Sequence, residues 1–337
     1  MQYPKFIKEN SCIGIPAPSD GAIDSYKKNK YKQAKKYLES IGYKIILSNN
    51  LFKSKKGRSA SAETRGKEIN EMFSKEEIDL ILCAAGGEFL VEILPYVNFE
   101  LLKKKIKYVV GFSDPTGLLY PITTKYDIAT IYGSNFSNLG VDNFDESHYD
   151  FLKVLKGEKT KVNSYELYEI ESFEKITGRE GNNLTEKVYW KTLDNKKVDI
   201  KGRIIGGCFD IIAELAGTKY DGIDTFNEKY KKDGIIWYFD NCEQSMEETI
   251  RILWKMNELG YFKYAKGIIF GRFGSNRTTY EYTTKTCLED SVLPKLKIPI
   301  IYDADVSHLP PSITIINGSI AHVICDKGKA SISYELK

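Results

Sequence analysis

Three stretches carry side chains or backbone able to do chemistry. In Cys83-Ala84-Ala85-Gly86-Gly87-Glu88-Phe89-Leu90 an apolar run leads through two glycines into a segment with helical spacing. Gly86 and Gly87 offer backbone N–H groups with no Cβ in the way, which suits an anion or a developing oxyanion. Two glycines also simply permit a tight turn. In Gly111-Phe112-Ser113-Asp114-Pro115-Thr116, at the next strand end, the local pattern reads as Ser113 capping a helix with Pro115 in its first turn. In Asp303-Ala304-Asp305-Val306-Ser307-His308-Leu309-Pro310-Pro311, two prolines stiffen the backbone beside an imidazole, as a general base requires. A surface-loop histidine looks the same locally. Asp240 closes the apolar run Ile235-Ile236-Trp237-Tyr238-Phe239, where it either orients a histidine or caps the helix near Ser245.

The elements around these stretches alternate. Cys12 to Pro16 is a short apolar run, followed by Tyr31, Ala34, Tyr37, Leu38 and Ile41 at helical spacing up to Gly42. Lys44 to Ser48, Ile78 to Cys83, Lys107 to Gly111 and Ala129 to Tyr132 read as further strands, with a helix over Ala62 to Ser74 and another opened by Ser113-Asp114-Pro115-Thr116. Strands alternating with helices predict a doubly wound parallel sheet, whose function gathers at the carboxyl ends of the strands. From about Leu155 to Asp199 the chain turns polar and rich in Lys and Glu, which predicts a linker with exposed strands. A second unit comes next, with a strand over Gly234 to Asp240, an amphipathic helix over Ser245 to Leu259, and short strands around 267–270, 299–302, 314–316 and 321–325. The expected division is 1–155, 156–199 and 200–337. Trp237, Trp254, Ile250, Leu253 and Met256 are expected in the core.

Composition narrows the function. At 337 residues the chain fits two domains. Lys+Arg 49 against Asp+Glu 46 gives a net charge of +3 spread over amphipathic and loop segments, so no nucleic-acid partner is expected. No stretch approaches 18 uninterrupted apolar residues and the start lacks a leader-like apolar region, so neither a membrane partner nor export is expected and a cytoplasmic location is. Six unpaired cysteines read as reduced thiols, and three well-separated histidines without CxxC or HExxH give no metal site. Pro16-Ala17-Pro18-Ser19 after the first strand has too few glycines for a dinucleotide or P-loop cradle, so no cofactor is expected.

Six blocks in order, CIGIPAPS, AAGGEFLVEILPYV, VVGFSDPTGLL with IYGSNF, GRIIGGCFDIIAELAGTKY, IIWYFDNCEQSMEETIRILWKMNELGYFKYAKGIIFGRF and IPIIYDADVSHLPPSITIINGS, resemble the LD-carboxypeptidase family of serine peptidases, which includes the microcin C self-immunity peptidases. The resemblance implies an α/β protein with a flavodoxin-like N-terminal sheet and a smaller β-rich, mixed α/β C-terminal domain, usually a homodimer. It implies a Ser-Glu-His triad across the two domains that cuts an amide in a murein-type L,D-peptide or a peptidyl-nucleotide. His308 matches the family histidine, and Asp240 stands where the family has glutamate. Counting three residues from the second glycine puts the nucleophile position on the inert Leu90, with Gly86, Gly87, Glu88, Ser113 and Asp114 as oxyanion or ligand-binding groups. Two readings are open. One is an active hydrolase with a relocated mechanism, using Ser113, Ser307 or Cys83, or a water activated by Glu88 and His308. The other is a non-catalytic binding homologue, a pseudoenzyme holding a muropeptide or peptidyl-nucleotide in the same cleft. A nucleotide-binding flavodoxin-like module is a third, weaker class. Residues 272–290 are expected to shape the substrate pocket.

Overall fold

Strand and helix boundaries follow the punctuation of the sequence. The computed structural model, which describes residues 1–337, builds the first sheet from β1 (Cys12–Ile15), β2 (Lys44–Leu47), β3 (Leu80–Leu82), β4 (Tyr108–Gly111) and β5 (Thr130–Tyr132). All five are parallel in the order β2-β1-β3-β4-β5, the flavodoxin-like arrangement. Apart from β2, these strands are buried on both faces, as a sheet covered on both sides requires. The helices are α1 (Ser25–Ser40), α2 (Ala62–Ser74), α3 (Glu100–Lys104), α4 (Thr116–Tyr126) and α5 (Glu146–Leu155). In α1 the buried residues are Tyr31, Ala34 and Leu38, the stripe set by the 3.6-residue period, and Asp24 caps the helix by accepting from the Lys27 amide.

The polar segment after α5 is more than a linker. Its strands are β6 (Lys161–Asn163), β7 (Leu167–Tyr168), β8 (Glu186–Lys187) and β9 (Lys191–Thr192). The pair β7 and β8 forms a separate ribbon, whereas β6 and β9 close the two edges of the second sheet. That sheet also holds β10 (Val198–Cys208), β11 (Ile235–Asp240), β12 (Ala265–Gly271), β13 (Ile300–Ala304), β15 (Ile320–Asp326) and β16 (Lys329–Glu335), in the order β6-β16-β15-β10-β11-β12-β13-β9. Strands β10 to β13 are parallel and the outer ones antiparallel, giving a mixed sheet of eight strands where a smaller β-rich domain is expected. Helices α6 (Phe209–Leu215), α7 (Ile223–Tyr230), α8 (Met246–Glu258) and α9 (Thr284–Glu289) complete this half. Trp237, Leu253 and Met256 are buried, but Trp254 is 61% exposed. The inward face of α8 is set by Met246, Thr249, Leu253 and Met256, and position 254 lies about 100° away from 253 around the axis.

One strand crosses between the halves. β14 (Ile315–Asn317), which comes after the His308 loop, pairs antiparallel with β5 at the edge of the first sheet, Ile315 opposite Tyr132. A single apolar cluster accordingly runs through both halves. No helix is long and apolar enough to cross a membrane.

Candidate active site

The carboxyl ends of β4 and β11 meet the loop after β13. Asp240, the last residue of β11, is fully buried, and its Oδ1 accepts from the His308 amide at 3.1 Å and bonds His308 Nδ1 at 2.9 Å. Its Oδ2 accepts from the Tyr132 hydroxyl at 2.6 Å. On the other side of the imidazole, His308 Nε2 lies 2.9 Å from Ser113 Oγ. Burial alone would pull the imidazole's pKa down, but the Asp240 charge and its hydrogen bond outweigh that and hold it well above the usual histidine value. A hydroxyl, an imidazole and a buried carboxylate are thus in line, with the carboxylate on Nδ1 leaving Nε2 free to take a proton from Ser113.

The corner carrying Ser113 is backbone-strained, with φ of 70° at a residue that has a Cβ. It is held there by specific bonds. Asn135 grips Phe112 from both sides, accepting from its amide and donating to its carbonyl, each at 3.0 Å, and the Ser113 amide donates to Tyr132 Oη at 3.3 Å. A Cβ on Gly111 would come within 2.5 Å of Pro115 Cβ, so the strand can turn into α4 this sharply only with glycine there. Gly86 lets the neighbouring turn approach just as closely, since a Cβ on it would lie 3.1 Å from Ser113 Cβ and 3.3 Å from Oγ. Asp114 Oδ2 accepts from the Ser19 hydroxyl and, at 3.0 Å, from the Leu90 amide, tying three strand ends together. Burial pushes the Asp114 carboxyl up to about 6. The His308 loop is pinned from beneath: buried Asp305 pairs with Arg272, which donates to the Leu309 and Pro311 carbonyls, and Ser307 Oγ donates to the Arg272 carbonyl.

Residues 13–133 match the N-terminal domain of the LD-carboxypeptidase family, and residues 201–323 match its C-terminal domain. The chain belongs to the LD-carboxypeptidase family. It is 26% identical to the microcin C7 self-immunity protein MccF of Escherichia coli over 91% of this chain and 88% of that protein. An MccF-like protein from Bacillus anthracis superimposes with a TM-score of 0.84 at 23% identity, covering 100% of both chains. A muramoyltetrapeptide carboxypeptidase from Oxalobacter formigenes gives a TM-score of 0.74 at 19% identity over 97% of this chain and 99% of that one. These likenesses extend over both sheets, so this LD-carboxypeptidase family member has the two-domain fold of its relatives.

The groups that sequence places at the site divide sharply. His308, Asp240, Ser113, Gly86 and Gly87 come together. Leu90 does not: it opens the 3₁₀ turn Leu90–Tyr96, is fully buried, and its Cδ2 sits where a Cβ on Gly117 of α4 would come within 2.7 Å. The hydroxyl facing the imidazole therefore belongs to Ser113, one strand over from the paired glycines, and the position taken for the nucleophile is a core contact. Ser307 is committed to Arg272, and Cys83 is buried with its thiol pushed up to about 12, so neither competes. Glu88 is exposed, its pKa raised by partial burial and by nearby Glu243 and Asp210. His148 is buried in the cap of α5 and His322 pairs with Asp199 on the surface. Tyr132, Asn135 and Ser19 are missed by sequence reasoning, although the block containing Tyr132 and Asn135 is the one that resembles the family. A sequence signal for Ser113 does exist: strand, Gly-x-Ser, turn, helix is the grammar of a nucleophile elbow.

Beside the imidazole a cavity of about 530 Å³ opens, lined near the reacting groups by Ala85, Phe112 and His308. The Phe112 ring packs against His308 at a tilt of 44° with centroids 4.7 Å apart, which fixes one wall. No residue of 272–290 lines it. Its far walls come instead from the start of α1 and from residues 169–182, part of the segment expected to be a linker.

Proposed function

We propose that this chain is a serine-type hydrolase that cleaves an amide bond in a murein-type L,D-peptide or a peptidyl-nucleotide, with Ser113 as nucleophile, His308 as general base and acid, and Asp240 orienting the imidazole. The observation that carries the reading is the pair of 2.9 Å contacts that His308 makes, Nε2 to Ser113 Oγ and Nδ1 to Asp240 Oδ1. Ser113 Oγ attacks the scissile carbonyl carbon while Nε2 takes its proton. The oxyanion that forms is met by backbone N–H groups at the Gly86-Gly87 turn and at Asp114, none of which donates to another group of the chain. His308 then returns the proton to the departing amine, leaving an ester on Ser113 that water hydrolyses by the same steps.

The substrate class rests on family membership and on what its relatives bind. MccF is known in complex with adenosine monophosphate and with aspartyl sulfamoyl adenosine, and a muramoyltetrapeptide carboxypeptidase shares the fold. A non-catalytic binder is disfavoured, because it requires an aliphatic group where the nucleophile stands, whereas the Ser113 hydroxyl faces the imidazole. Asp240 is one methylene shorter than the family's glutamate, yet it reaches His308 in two places.

The test is active-site labelling with a fluorophosphonate, together with release of D-alanine from a murein-type tetrapeptide and of product from an aminoacyl-sulfamoyl nucleotide. The wild-type chain labels and turns over one substrate class, and Ser113→Ala does neither. In a triad acting as a unit the loss is about 10⁶-fold in kcat. Labelling that persists in Ser113→Ala would sink the assignment.

A further inference from the structure

Ser113, Asp240 and His308 come from three places in the chain, and one further side chain bonds two of them. Tyr132, the last residue of β5, is fully buried, with Phe112 and Tyr238 packed against its ring at 5.0 and 5.7 Å between centroids. Its Oη accepts from the Ser113 amide at 3.3 Å and lies 2.6 Å from Asp240 Oδ2. The direction of both bonds is fixed. A backbone amide can only donate and an ionised carboxylate can only accept, so the phenolic hydrogen goes to Asp240. Burial and the Asp240 charge hold the phenol well above its ordinary pKa, which keeps that hydrogen in place. Together with the contacts of His308 these bonds close a ring, from the Ser113 amide through Tyr132, Asp240 and the imidazole back to Ser113 Oγ.

Of the three hydrogens that reach the Asp240 carboxylate, two come from His308 and the third, from Tyr132, is supplied by the first sheet. A donor on a carboxylate lowers its affinity for a proton and so weakens its pull on a neighbouring imidazole. We infer that Tyr132 is a positioning residue for the reaction, which fixes the Ser113 turn against the acid and, through Asp240, sets the pH at which His308 becomes a base. This rests on the reading of Ser113, His308 and Asp240 as the reacting triad. Tyr132 itself is sealed off from the substrate cavity. The other titratable groups that face the ring are Cys208 at the end of β10, Tyr238 within β11, Cys242 just after β11 and Glu88 beside the paired glycines. Cys208 and Tyr238 are held well above their ordinary values by burial and stay neutral. Cys242 and Glu88 act on the imidazole rather than on the phenol, so their influence is the same with and without the Tyr132 hydroxyl.

Tyr132→Phe removes the hydroxyl and little else. With that donor gone the carboxylate holds the charged imidazole more strongly, so the acid limb of kcat/KM moves up by about 0.5–1 in pH. The Ser113 turn also loosens: kcat falls about 10–100-fold, while KM stays within about 2-fold because the phenol never meets the substrate. A merely structural role gives a different result. Lost packing leaves the limb in place, and a looser fit between Asp240 and His308 moves it down. Proton NMR titration of His308 in the Ser113→Ala protein, with and without Tyr132→Phe, reads the same rise with no turnover involved. Should Tyr132→Phe fail to fold, a ring-fluorinated tyrosine placed at the same position keeps the shape, donates more strongly and moves the imidazole pKa down. An imidazole pKa that stays put or moves the other way in either variant, or kcat of Tyr132→Phe within about 3-fold of wild type, overturns the inference. The two readings remain separable. Failure of the wild-type chain to take up a fluorophosphonate removes the triad reading whatever the His308 titration shows, whereas normal labelling with a His308 titration indifferent to the Tyr132 hydroxyl removes the role of Tyr132 alone.

Discussion

Replacing Asp240 by Asn changes one charge and almost no volume, and the surroundings of this residue dictate the outcome. Oδ1 accepts two bonds from His308 and Oδ2 accepts one from Tyr132, whose own oxygen already accepts from the Ser113 amide. Every partner of the carboxylate is thus presenting a hydrogen, and an amide can accept on one side only. If the Asn oxygen turns to Tyr132, its NH₂ faces the His308 amide, and a buried donor is stranded at a cost of about 1–3 kcal/mol. The same NH₂ then donates to Nδ1, which drives the imidazole proton to Nε2, where it blocks transfer from Ser113. The loss expected in kcat is about 10⁴-fold, or roughly 5 kcal/mol of barrier, as for the corresponding change in other Ser-His-Asp triads. The pH profile moves as well. In the wild-type chain burial opposes the charged imidazole and the Asp240 carboxylate more than compensates, so the base is lost on acidification through a pKa well above 6.5. In Asp240→Asn only the burial penalty remains, so the residual activity keeps its acid limb to a lower pH. Stability obeys the same sign. A raised folded-state pKa contributes stability that is complete below about pH 6.5 and fades as pH rises through the folded value, and Asn removes that contribution. The assays are kcat/KM against pH and urea melts at several pH values. An acid limb that stays in place, or activity within 10-fold of wild type, would refute the assignment of Asp240 as the partner that charges His308.

Three other substitutions probe the surroundings. Leu90→Ser does not create a second nucleophile: its hydroxyl would enter a fully buried apolar contact with α4, so labelling is unchanged while stability falls by about 3–5 kcal/mol in urea melts, and a gain in labelling would contradict the placement of Leu90. Gly86→Ala sets a Cβ 3.3 Å from Ser113 Oγ and displaces the hydroxyl, lowering kcat about 10–100-fold with little change in melting temperature; normal kcat would show that the two turns move apart freely. Asp114, fully buried with its carboxyl raised from 3.8 to about 6, destabilises the fold as pH climbs from about 4 to 6, by up to roughly 3 kcal/mol. Asp114→Asn flattens that part of the stability curve, and an unaltered slope would count against a protonated Asp114 at low pH.

Short-range pattern accounts for the part of the structure that is legible in the sequence. The helix over Ala62–Ser74 coincides with the span expected from its residues, and β1 to β5 fall within a residue or two of the apolar runs that announce them. His308 and Asp240 are legible because each stands at a point where local grammar leaves few roles open, a proline-stiffened loop and the end of a buried strand. Ser113 is harder to read because a helix N-cap and a nucleophile elbow use the same residue types. The difference is a positive φ, enforced by Tyr132 of β5, by Asn135 in the turn just after it and by Gly86 from another turn. The paired glycines attract attention as an elbow in their own right, yet they serve as the neighbour that makes room for one. The polar stretch from 156 to 199 misleads in a related way. Edge strands such as β6 and β9 are short and half-exposed, so they lack the apolar signature of an interior strand and read as linker.

The placement of β14 on the edge of the first sheet orders the assembly of the site along the chain. His308 follows Ser113 by 195 residues, and the strand that fastens its loop to the sheet of Ser113 comes later still. A chain made only as far as β13 therefore holds Ser113, Tyr132 and Asn135 with no imidazole opposite them. Under the proposed function, a chain that stops short of His308 carries only an unactivated hydroxyl, and the reaction waits until β14 docks on β5.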